Sequence, residues 1–275
     1  MSLRVTPVTA MIGATISGVD LRESLASEDR DAIEDALIEH GVLFFRDQDI
    51  TPDQQVAFAE QFGTISVPPM APDAEMRPEV MVLDQIAPKG EGADNWHSDN
   101  TFMSEPPLGS ILKAVQLPPV GGDTCFTNAA AAYEGLSPSM RNFVDELSAV
   151  HDITKPMTRA IRAGIFEETR LAALQEQWPP VEHPVVRTHP VTGRKALYVN
   201  GNSTDHLVGL SEAENDLILP FLNEQVRSPA YQCRFAWDEN SIVFWDNRTV
   251  QHYAVPDYSE RRIMHRVTLE GDKPV

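Results

Sequence analysis

Cysteine is scarce in this sequence: only Cys125 and Cys233 occur among the 275 residues. The two stand far apart and form no C-x-x-C pattern, which argues against a disulfide framework or a zinc site built from thiolates. The sequence also lacks any run of eighteen apolar residues and, in its first twenty residues, any long apolar core. Neither a membrane span nor a leader peptide is therefore predicted, and we expect a cytoplasmic protein.

Positive charge is also sparse. The chain carries 22 Lys and Arg residues against 41 Asp and Glu residues, a net charge of -19 at pH 7. Because no cluster of five or more basic residues offsets this charge, the protein's field repels nucleic acid and anionic lipid, and we expect neither as a partner. If the ligand is a small anion, the arginines that hold it must act at short range inside a pocket.

Motifs that mark several common enzyme classes are missing. The sequence contains no G-x-S-x-G, H-E-x-x-H, P-loop or G-x-G-x-x-G pattern, so hydrolase, zincin and nucleotide-binding interpretations have no support. With 42% hydrophobic and 23% charged residues, the composition is that of an ordinary globular protein. Function must therefore be inferred from particular residues.

Local patterns predict two helices early in the chain and many short strands after them. The first helix spans 27–41 and ends at a glycine, and the second begins with Thr51 as N-cap, Pro52 and a capping box to Gln54. Three more helices are predicted at 129–148, 166–177 and 211–227, the last interrupted by Pro220. Strands are predicted at 42–45, 80–84, 111–117, 184–189, 196–200 and in the C-terminal segment.

This order of elements does not match the regular alternation of a parallel α/β protein. It favours a mainly β fold with helical decorations, an antiparallel jelly roll. No linker or internal repeat is evident, so we expect one domain over 1–275. The proline-rich stretch 66–78 and the segment 153–172 are interpreted as surface loops, which either form a lid over a site or only connect elements.

A candidate metal site begins with His97-x-Asp99 in the stretch N-W-H-S-D-N-T-F. The pair alone decides nothing in an Asp-rich chain and needs a partner. His252 follows a predicted strand and turn, and in an antiparallel barrel such distant segments become neighbours. Two imidazoles and one carboxylate leave three positions of an octahedral ion open, the arrangement associated with non-heme Fe(II) oxygenases.

Two arginines, Arg262 and Arg266, follow in R-I-M-H-R. In a strand, residues four apart point the same way, about 13 Å apart at 3.3 Å per residue. Both guanidinium groups, with Met264 between them, are therefore predicted to face one side. Two permanent cations on one inward face require compensating anions, which suits a site that binds two acidic molecules.

These residues belong to a longer series of motifs. The series is W-H-x-D at 96–99, P-P-V-G-G-D-T at 118–124, A-x-Y at 131–133, W-D-N-R at 245–248, His252, and R-R-I-M-H-R with G-D-K-P near the end. Each motif is weak by itself, but in this order and spacing they closely resemble the taurine dioxygenase family of Fe(II)/2-oxoglutarate-dependent oxygenases. The resemblance covers nearly the whole chain.

The resemblance implies a double-stranded β-helix in which His97, Asp99 and His252 hold Fe(II), with 2-oxoglutarate as co-substrate and O2 as oxidant. In such enzymes 2-oxoglutarate yields succinate and CO2 while a C–H bond of the primary substrate is hydroxylated. A hydroxylated carbon that carries a sulfonate then releases sulfite and leaves an aldehyde. Relatives are often dimers or tetramers, which implies a homo-oligomer.

The same resemblance gives roles to residues near the two arginines. It implies that Arg262 pairs with the distal carboxylate of 2-oxoglutarate, assisted by the Thr124 hydroxyl, and that Arg266 holds the anionic group of the primary substrate. The alternatives are a structural salt bridge of Arg262 with Asp257 or Glu260, a similar ion pair for Arg266, and a plain strand threonine at 124.

Other positions depart from the taurine enzymes. Pro68 and Ala71 stand where a lid histidine and tyrosine are expected, and Ala93 replaces an asparagine shortly before the iron-binding histidine. Four residues are expected in the altered pocket: Met157 and Ser203 as walls, and Asn100 and Asn202 as polar contacts to the substrate. A larger or less polar substrate than taurine therefore becomes plausible.

We predict a dioxygenase that acts on a small anionic organic molecule, with a sulfonate such as taurine or a relative as the first candidate. An alkyl sulfate ester or a carboxylate such as a phenoxy acid is the alternative substrate. A non-catalytic jelly-roll sensor of a metal or metabolite is the alternative of another class, and the open coordination positions argue against it. The remaining histidines are expected to be structural or solvated: His40, His151, His183, His189, His206 and His265.

Overall fold

The computed structural model of the protein describes residues 2–67, 77–86, 95–162, 164 and 167–275. The helices are α1 (Ser27–His40), α2 (Pro52–Ala59), α3 (Ala129–Glu134), α4 (Pro138–Val144), α5 (Thr154–Arg162), α6 (Thr169–Gln177) and α7 (Glu212–Val226). None of these helices is long and apolar enough to cross a membrane.

Short strands make up the rest of the regular structure. They are β1 (Arg4–Pro7), β2 (Ala14–Ser17), β3 (Val42–Phe45), β4 (Ile65–Ser66), β5 (Met81–Ile86), β6 (Gly109–Gln116), β7 (Thr124–Asn128), β8 (Ser148–His151), β9 (Val181–Pro184), β10 (Val186–Thr188), β11 (Lys195–Leu197), β12 (Thr204–Leu207), β13 (Gln232–Phe235), β14 (Ile242–Asp246), β15 (Val250–Ala254) and β16 (Arg261–Leu269).

Two sheets form the jelly roll that the sequence pattern predicts. The larger has the order β1-β2-β3-β14-β6-β16-β4, with β5 also paired to β16, and the smaller has the order β13-β7-β15. Apart from the parallel pair β2 and β3, the neighbours in both sheets run antiparallel. Strands from the start, middle and end of the chain therefore lie side by side.

The main core fills the space between these two sheets. The larger sheet contributes Phe44 and Trp245, and the smaller contributes Phe126 and Phe235, all at most 5% exposed. Phe44 stacks on Phe235 with ring centroids 4.4 Å apart. Burial of large aromatic side chains is among the strongest contributions to a core, so this contact fixes how the sheets face each other.

The opposite face of the larger sheet is covered by α1 and α2. Both helices begin and end where local chemistry predicts: Gly41 ends α1 at φ +73°, and the Thr51–Gln54 capping box is formed at the start of α2. The helices bury Ile33, Leu37 and Phe58 against the strands. This layer is apolar and leaves the other face of the sheet free to build a cavity.

Several predicted elements differ from those observed. The helix expected at 129–148 is divided, because a Cβ at Gly135 would lie 2.0 Å from the Tyr231 hydroxyl oxygen and Ser137 then caps a new helix. The residues after α4 instead form β8 between β9 and β12. The helix α7 continues through Pro220, because Leu222 and Val226 beyond it are buried in a core cluster.

The two stretches interpreted as loops have different outcomes. Most of 153–172 is helical, since α5 lies within it and α6 begins in it. Met157 and Leu174 explain this ordering, because they bury an apolar contact between these helices. Most of 66–78 lies outside the described residues. The cysteines are unbonded as expected, with Cys233 buried and Cys125 partly exposed.

Candidate active site

Main-chain pairing between distant segments brings two histidines together. The amide of His252, on β15, donates to the His97 carbonyl at 2.8 Å, and the His97 amide donates to the His252 carbonyl at 3.1 Å. This antiparallel bridge sets the imidazole rings side by side, with centroids 4.2 Å apart. Asp99, two residues after His97, lies beside them.

Together, His97, Asp99 and His252 form a buried cluster that could hold a metal ion. One potential ligand atom from each lies within 4.8 Å of the others. His97 Nε2 and His252 Nε2 lie 3.6 Å and 3.9 Å from the same oxygen, Asp99 Oδ1. Two imidazole nitrogens and one carboxylate fit a divalent transition metal with open coordination positions. The sequence-predicted trio is thus brought together.

The hydrogen bonding of the imidazoles is suited to metal binding. His97 Nδ1 lies 2.7 Å from the Asn95 carbonyl oxygen, which can only accept, so Nδ1 carries the proton and Nε2 presents a lone pair. Burial, with a smaller contribution from His97, lowers the pKa of His252 from 6.5 to about 3. His252 is therefore neutral at physiological pH, as a metal ligand must be.

Asp99 is fixed by residues to which sequence reasoning gave no role. Asn247 Oδ1 accepts from the Asp99 amide at 2.6 Å, and Asn247 Nδ2 donates to the Asp99 carbonyl at 3.0 Å. Ser110 Oγ donates to Asp99 Oδ2 at 2.9 Å. Because Oδ2 is engaged in this way, Oδ1 is the oxygen turned toward the two histidines.

The charge of Asp99 is stabilised by the groups around it. Arg266 Nη1 donates to Oδ1 at 3.0 Å. Burial by itself raises the pKa of Asp99, but Arg266 and the two histidines outweigh it and hold the pKa well below its usual range. The cluster therefore presents an ionised carboxylate at neutral pH.

A cavity of about 450 Å³ opens onto this cluster, a size typical of small-molecule sites. Its wall contains all seven residues predicted for the site: His97, Asp99, Asn100, Thr124, His252, Arg262 and Arg266. Apolar side chains from β5, β6 and α5 make up much of the remainder. The cavity thus joins a metal-binding cluster, cationic groups and apolar walls.

The face of β16 toward this cavity has the predicted alternation. Arg262, Met264 and Arg266 pair across the ladder with three residues of β5 that face the same way: Gln85, Leu83 and Met81. The Arg266 guanidinium lies between the cluster and the cavity, with Nη2 3.2 Å from Met81 Sδ. Its ion pair with Asp99 means that Arg266 is adjacent to the metal-binding atoms, so an anion bound by Arg266 would be adjacent too.

Arg262 is a buried cation, only 4% exposed. Its guanidinium carbon lies 5.7 Å and 6.0 Å from the ring centroids of Trp237 and Tyr258. Its Nε and Nη2 have no hydrogen-bond partner among the residues that the structure describes. Burial lowers its pKa, while Tyr258 and Asp123 act in the opposite direction. A buried guanidinium of this kind is suited to receive an anion.

The turn before β7 shapes the surroundings of Arg262. Gly122 packs so closely that a Cβ would lie 3.3 Å from Arg262 Cδ and Nε. Asp257, considered as a salt-bridge partner of Arg262, instead accepts from the Gly122 amide at 2.8 Å and pairs with Arg234. The structural alternative for Arg262 therefore finds no support within the described part of the chain.

Thr124 lines the cavity from β7. Its Oγ1 accepts from Trp237 Nε1 at 3.0 Å. Because Trp237 supplies a hydrogen to this oxygen, the hydroxyl hydrogen of Thr124 can be donated to an anion. Trp237 thus contacts both residues predicted to hold a dicarboxylate, a role for which the sequence gave no signal.

Helix α5 contributes to the apolar wall. Met157 and Ala160 line the cavity, together with Phe102. Met157 and Phe102 also pack in one buried cluster with Leu174 of α6. These contacts place Met157 in the wall, as predicted, but on a helix rather than a loop.

The polar contacts predicted for the pocket also line it. Asn100 adopts a left-handed backbone with φ +51°, and Asn202 and Ser203 follow β11 in a tight turn. Asn202 Oδ1 accepts from Arg159 Nη1 at 2.9 Å, so its amide is partly engaged. The positions Pro68, Ala71 and Ala93 lie outside the described residues.

Among the residues that sequence reasoning did not assign, Asn247 could have been found, because it lies in the W-D-N-R motif. Ser110 carried no sequence signal, because its neighbour Asp99 is met only across the fold. The histidines set aside as structural lie outside the metal-binding cluster, and His151, His183 and His189 are buried and hydrogen-bonded.

Comparison with known proteins gives concordant matches. The family model described as "Taurine catabolism dioxygenase TauD, TfdA family" matches residues 4–268. An alkylsulfatase of Acinetobacter baylyi is 38% identical, with 98% of this chain and 86% of the relative covered. An alpha-ketoglutarate-dependent sulfate ester dioxygenase of Pseudomonas putida is 36% identical, with 100% of this chain and 92% of the relative covered. The crystal structure of a taurine dioxygenase from Burkholderia xenovorans superposes with a TM-score of 0.86 at 38% identity, covering 100% of this chain and 91% of that one.

Proposed function

The chain belongs to the TauD, TfdA family of taurine catabolism dioxygenases and is a 2-oxoglutarate-dependent dioxygenase, and from this premise we propose that His97, Asp99 and His252 hold its iron. The donor set carries this proposal: two imidazole nitrogens and one ionised carboxylate meet in a buried cluster. Iron, when bound with 2-oxoglutarate and O2, supplies the oxidising chemistry that hydroxylates a C–H bond.

Arg262 and Thr124 bind the distal carboxylate of 2-oxoglutarate in this proposal. The support is the buried guanidinium with two unpaired nitrogens among the described residues, and the Thr124 hydroxyl hydrogen left available by Trp237. Charge-assisted and forked hydrogen bonds of this kind are strong and directional. The close packing of Gly122 holds the guanidinium in place before the anion arrives.

Arg266 binds the anionic head of the primary substrate. Its Nη1 lies 3.0 Å from Asp99 Oδ1, so a head group bound there sits within a few ångströms of the metal-binding atoms. The carbon attached to that head group is then the one presented for hydroxylation. The apolar walls formed by Phe102, Met157 and Ala160 receive the hydrocarbon part and exclude water.

The substrate class that we favour is an alkyl sulfate ester, with a sulfonate as the second candidate. The sulfate ester is supported by the apolar cavity of about 450 Å³ and by the names of two relatives. The sulfonate, the first candidate from the motifs, is supported by the similarity to a taurine dioxygenase. Hydroxylation of the carbon next to the ester oxygen gives a hemiacetal sulfate, which breaks its C–O bond to release sulfate and an aldehyde.

One panel of assays separates these substrates. Hexyl sulfate, hexanesulfonate, taurine and a phenoxyacetate are incubated with protein, Fe(II), 2-oxoglutarate and O2, and succinate, sulfate and sulfite are measured. The proposal expects the highest turnover with the alkyl sulfate and the release of sulfate. Faster turnover of a sulfonate with release of sulfite would replace the sulfate ester by the second candidate.

The reaction class itself is tested at the metal site. Anaerobic addition of Fe(II) and 2-oxoglutarate should produce a weak visible charge-transfer band, and O2 should then yield succinate. His97→Ala should abolish both, whereas His206→Ala, at an exposed histidine outside the cavity, should retain them. A wild-type protein that gives neither band nor succinate would support the non-catalytic sensor instead.

The remaining expectations are proposed on the same basis. One domain over 1–275 is supported by a family match that spans 4–268. A homo-oligomer, dimer or tetramer, is proposed by analogy with the family and is measurable by sedimentation velocity. A cytoplasmic location and the absence of nucleic-acid and membrane partners stay predictions from the net charge of -19 and from the lack of apolar segments.

A further inference from the structure

A buried polar network lies behind the active site and involves none of the residues to which a role has been given. Its centre is Thr101, His151 and Asn200, whose exposed fractions are 0%, 0% and 1%. Three segments far apart in sequence meet there: the loop that follows Asp99, strand β8, and the turn after β11. Buried polar groups persist only where they are hydrogen-bonded, so the geometry of this network is strictly determined.

The Thr101 hydroxyl joins these three segments. Its Oγ1 lies 2.9 Å from His151 Nδ1 and accepts from Asn200 Nδ2 at 3.0 Å. His151 Nε2 lies 3.4 Å from the Thr204 hydroxyl on the other side of the ring. A neutral imidazole, with one nitrogen donating and the other accepting, satisfies both contacts.

The main chain after Asp99 is held by a second histidine. His183 Nε2 lies 3.0 Å from the Thr101 carbonyl oxygen and 2.9 Å from the Met103 carbonyl oxygen. Since both oxygens can only accept, Nε2 carries a proton shared between them. The backbone from Asp99 to Met103 is thereby tied to strand β9, which bears His183.

Asn200 transmits this position to the cavity wall. Its Oδ1 accepts from the amides of Asn202 and Ser203 at 3.0 Å and 2.9 Å. Both of these residues line the cavity. The Ser203 carbonyl in turn accepts from the Asp152 amide at 2.8 Å, and Asn202 Oδ1 accepts from Arg159 of α5. A displacement at Thr101 would therefore be passed to the wall that faces the substrate.

We propose that Thr101, His151 and Asn200 are positioning residues that hold the Asn202–Ser203 wall in register with Asp99, and that they thereby determine how efficiently oxidation is coupled to the primary substrate. The proposal rests on the proposed function. In that reaction 2-oxoglutarate and O2 are consumed whether or not the target C–H bond is well placed. Productive hydroxylation requires the reacting atoms to be within about 3–3.5 Å, and a misplacement of about 1 Å lowers its rate by about 100-fold. A displaced wall should therefore yield succinate without a matching amount of product.

Thr101→Val tests the network, because it removes the hydroxyl and keeps the shape of the side chain. The apparent KM for 2-oxoglutarate should stay within about twofold, because Arg262 and Thr124 are untouched, while the KM for the primary substrate rises and the ratio of succinate to oxidised product rises about threefold or more. Thr101→Ser should restore the wild-type ratio. Thr127→Val is the matched control, because Thr127 is a buried threonine whose hydroxyl donates to the Val226 carbonyl at 2.7 Å away from the cavity.

Hydrogen exchange of the metal-free protein gives an independent readout. The amides of Asn202 and Ser203 should exchange about tenfold faster or more in Thr101→Val than in wild type, since their acceptor Asn200 loses its own partner. Asn200→Ala should give the same two changes with Thr101 intact. Exchange and succinate-to-product ratio both unchanged in Thr101→Val, or both changed equally by Thr127→Val, would overturn the proposal. Absence of succinate from the wild-type protein would instead overturn the proposed function, and the exchange experiment would still decide the positional role.

Discussion

Replacement of Arg262 by methionine should weaken the binding of 2-oxoglutarate and at the same time stabilise the protein that lacks it. Methionine retains an unbranched apolar chain that can pack against Gly122 and Trp237, and it removes the guanidinium. Arg262 is 4% exposed, and its Nε and Nη2 are unpaired within the described part of the chain. Such a cation is retained for its ligand and not for folding.

The size of both effects follows from these contacts. Two hydrogen bonds between charged groups contribute about 1.5–3 kcal/mol each, so their loss weakens 2-oxoglutarate binding by about 3–6 kcal/mol, or roughly 10²- to 10⁴-fold. In the ligand-free protein, relief of two unpaired donors at about 1–3 kcal/mol each outweighs the lost contacts with Trp237 and Tyr258, about 0.5–2 kcal/mol each. A net gain of about 1–3 kcal/mol corresponds to a Tm increase of roughly 2–10 °C.

Differential scanning calorimetry without ligand and calorimetric titration of 2-oxoglutarate into the anaerobic Fe(II) protein measure the two effects. Arg248→Met is the matched control, because Arg248 is equally buried but paired with Asp246 at 2.8 Å and 2.7 Å. Removing it leaves a buried carboxylate with less compensation and should destabilise the protein by about 3–5 kcal/mol. A lower Tm for Arg262→Met, as for the control, would show that Arg262 is a structural residue and would refute the reasoning.

Three further predictions concern the substrate and pH. Arg266→Ala should raise the KM of the primary substrate about 100-fold with little change in the 2-oxoglutarate requirement, whereas Arg261→Ala, at an exposed arginine of the same strand, should change neither; equal effects of Arg266→Ala on both substrates would contradict its assignment. Ala160→Phe should shorten the preferred alkyl sulfate, lowering kcat/KM about fourfold for each methylene that it displaces, as a homologous series of alkyl sulfates would reveal. Burial lowers the pKa of His151 from 6.5 to about 3, so the unfolded chain binds a proton that the folded protein refuses, and the unfolding free energy should fall as pH falls from 6.5 toward 3; urea unfolding at several pH values should show a slope smaller by about 1.4 kcal/mol per pH unit in His151→Gln, and an unchanged slope would contradict a neutral His151.

The local elements that sequence predicts well are those whose cause is local. The capping box of Thr51 and Gln54 and the glycine end of α1 involve residues within one helical turn, so the printed order of residues contains the whole interaction. The alternation of Arg262, Met264 and Arg266 follows in the same way from the two-residue period of a strand. The helix predicted at 129–148 failed because its break depends on Tyr231, which meets Gly135 only in the fold.

The same division applies to the active site. The pattern His97-x-Asp99 with His252 and two arginines was sufficient to predict a metal-binding cluster in a cavity with cationic groups, because spacing and residue chemistry both constrain it. The groups that orient Asp99 were beyond prediction. Ser110 and Asn247 reach it through contacts across strands, and no local pattern distinguishes them from other polar residues.

By itself, the sequence determined the reaction class, the metal-binding residues and the shared face of the arginines, because these depend on residue identity and on the periods of regular structure. Only the tertiary structure decided which atoms are paired. It left the Arg262 guanidinium with unpaired nitrogens, set Arg266 against Asp99, and tied the Asn202–Ser203 wall to Thr101. Each of these facts depends on distances between segments far apart in the chain, which arise from packing of the whole fold and leave no trace in local order.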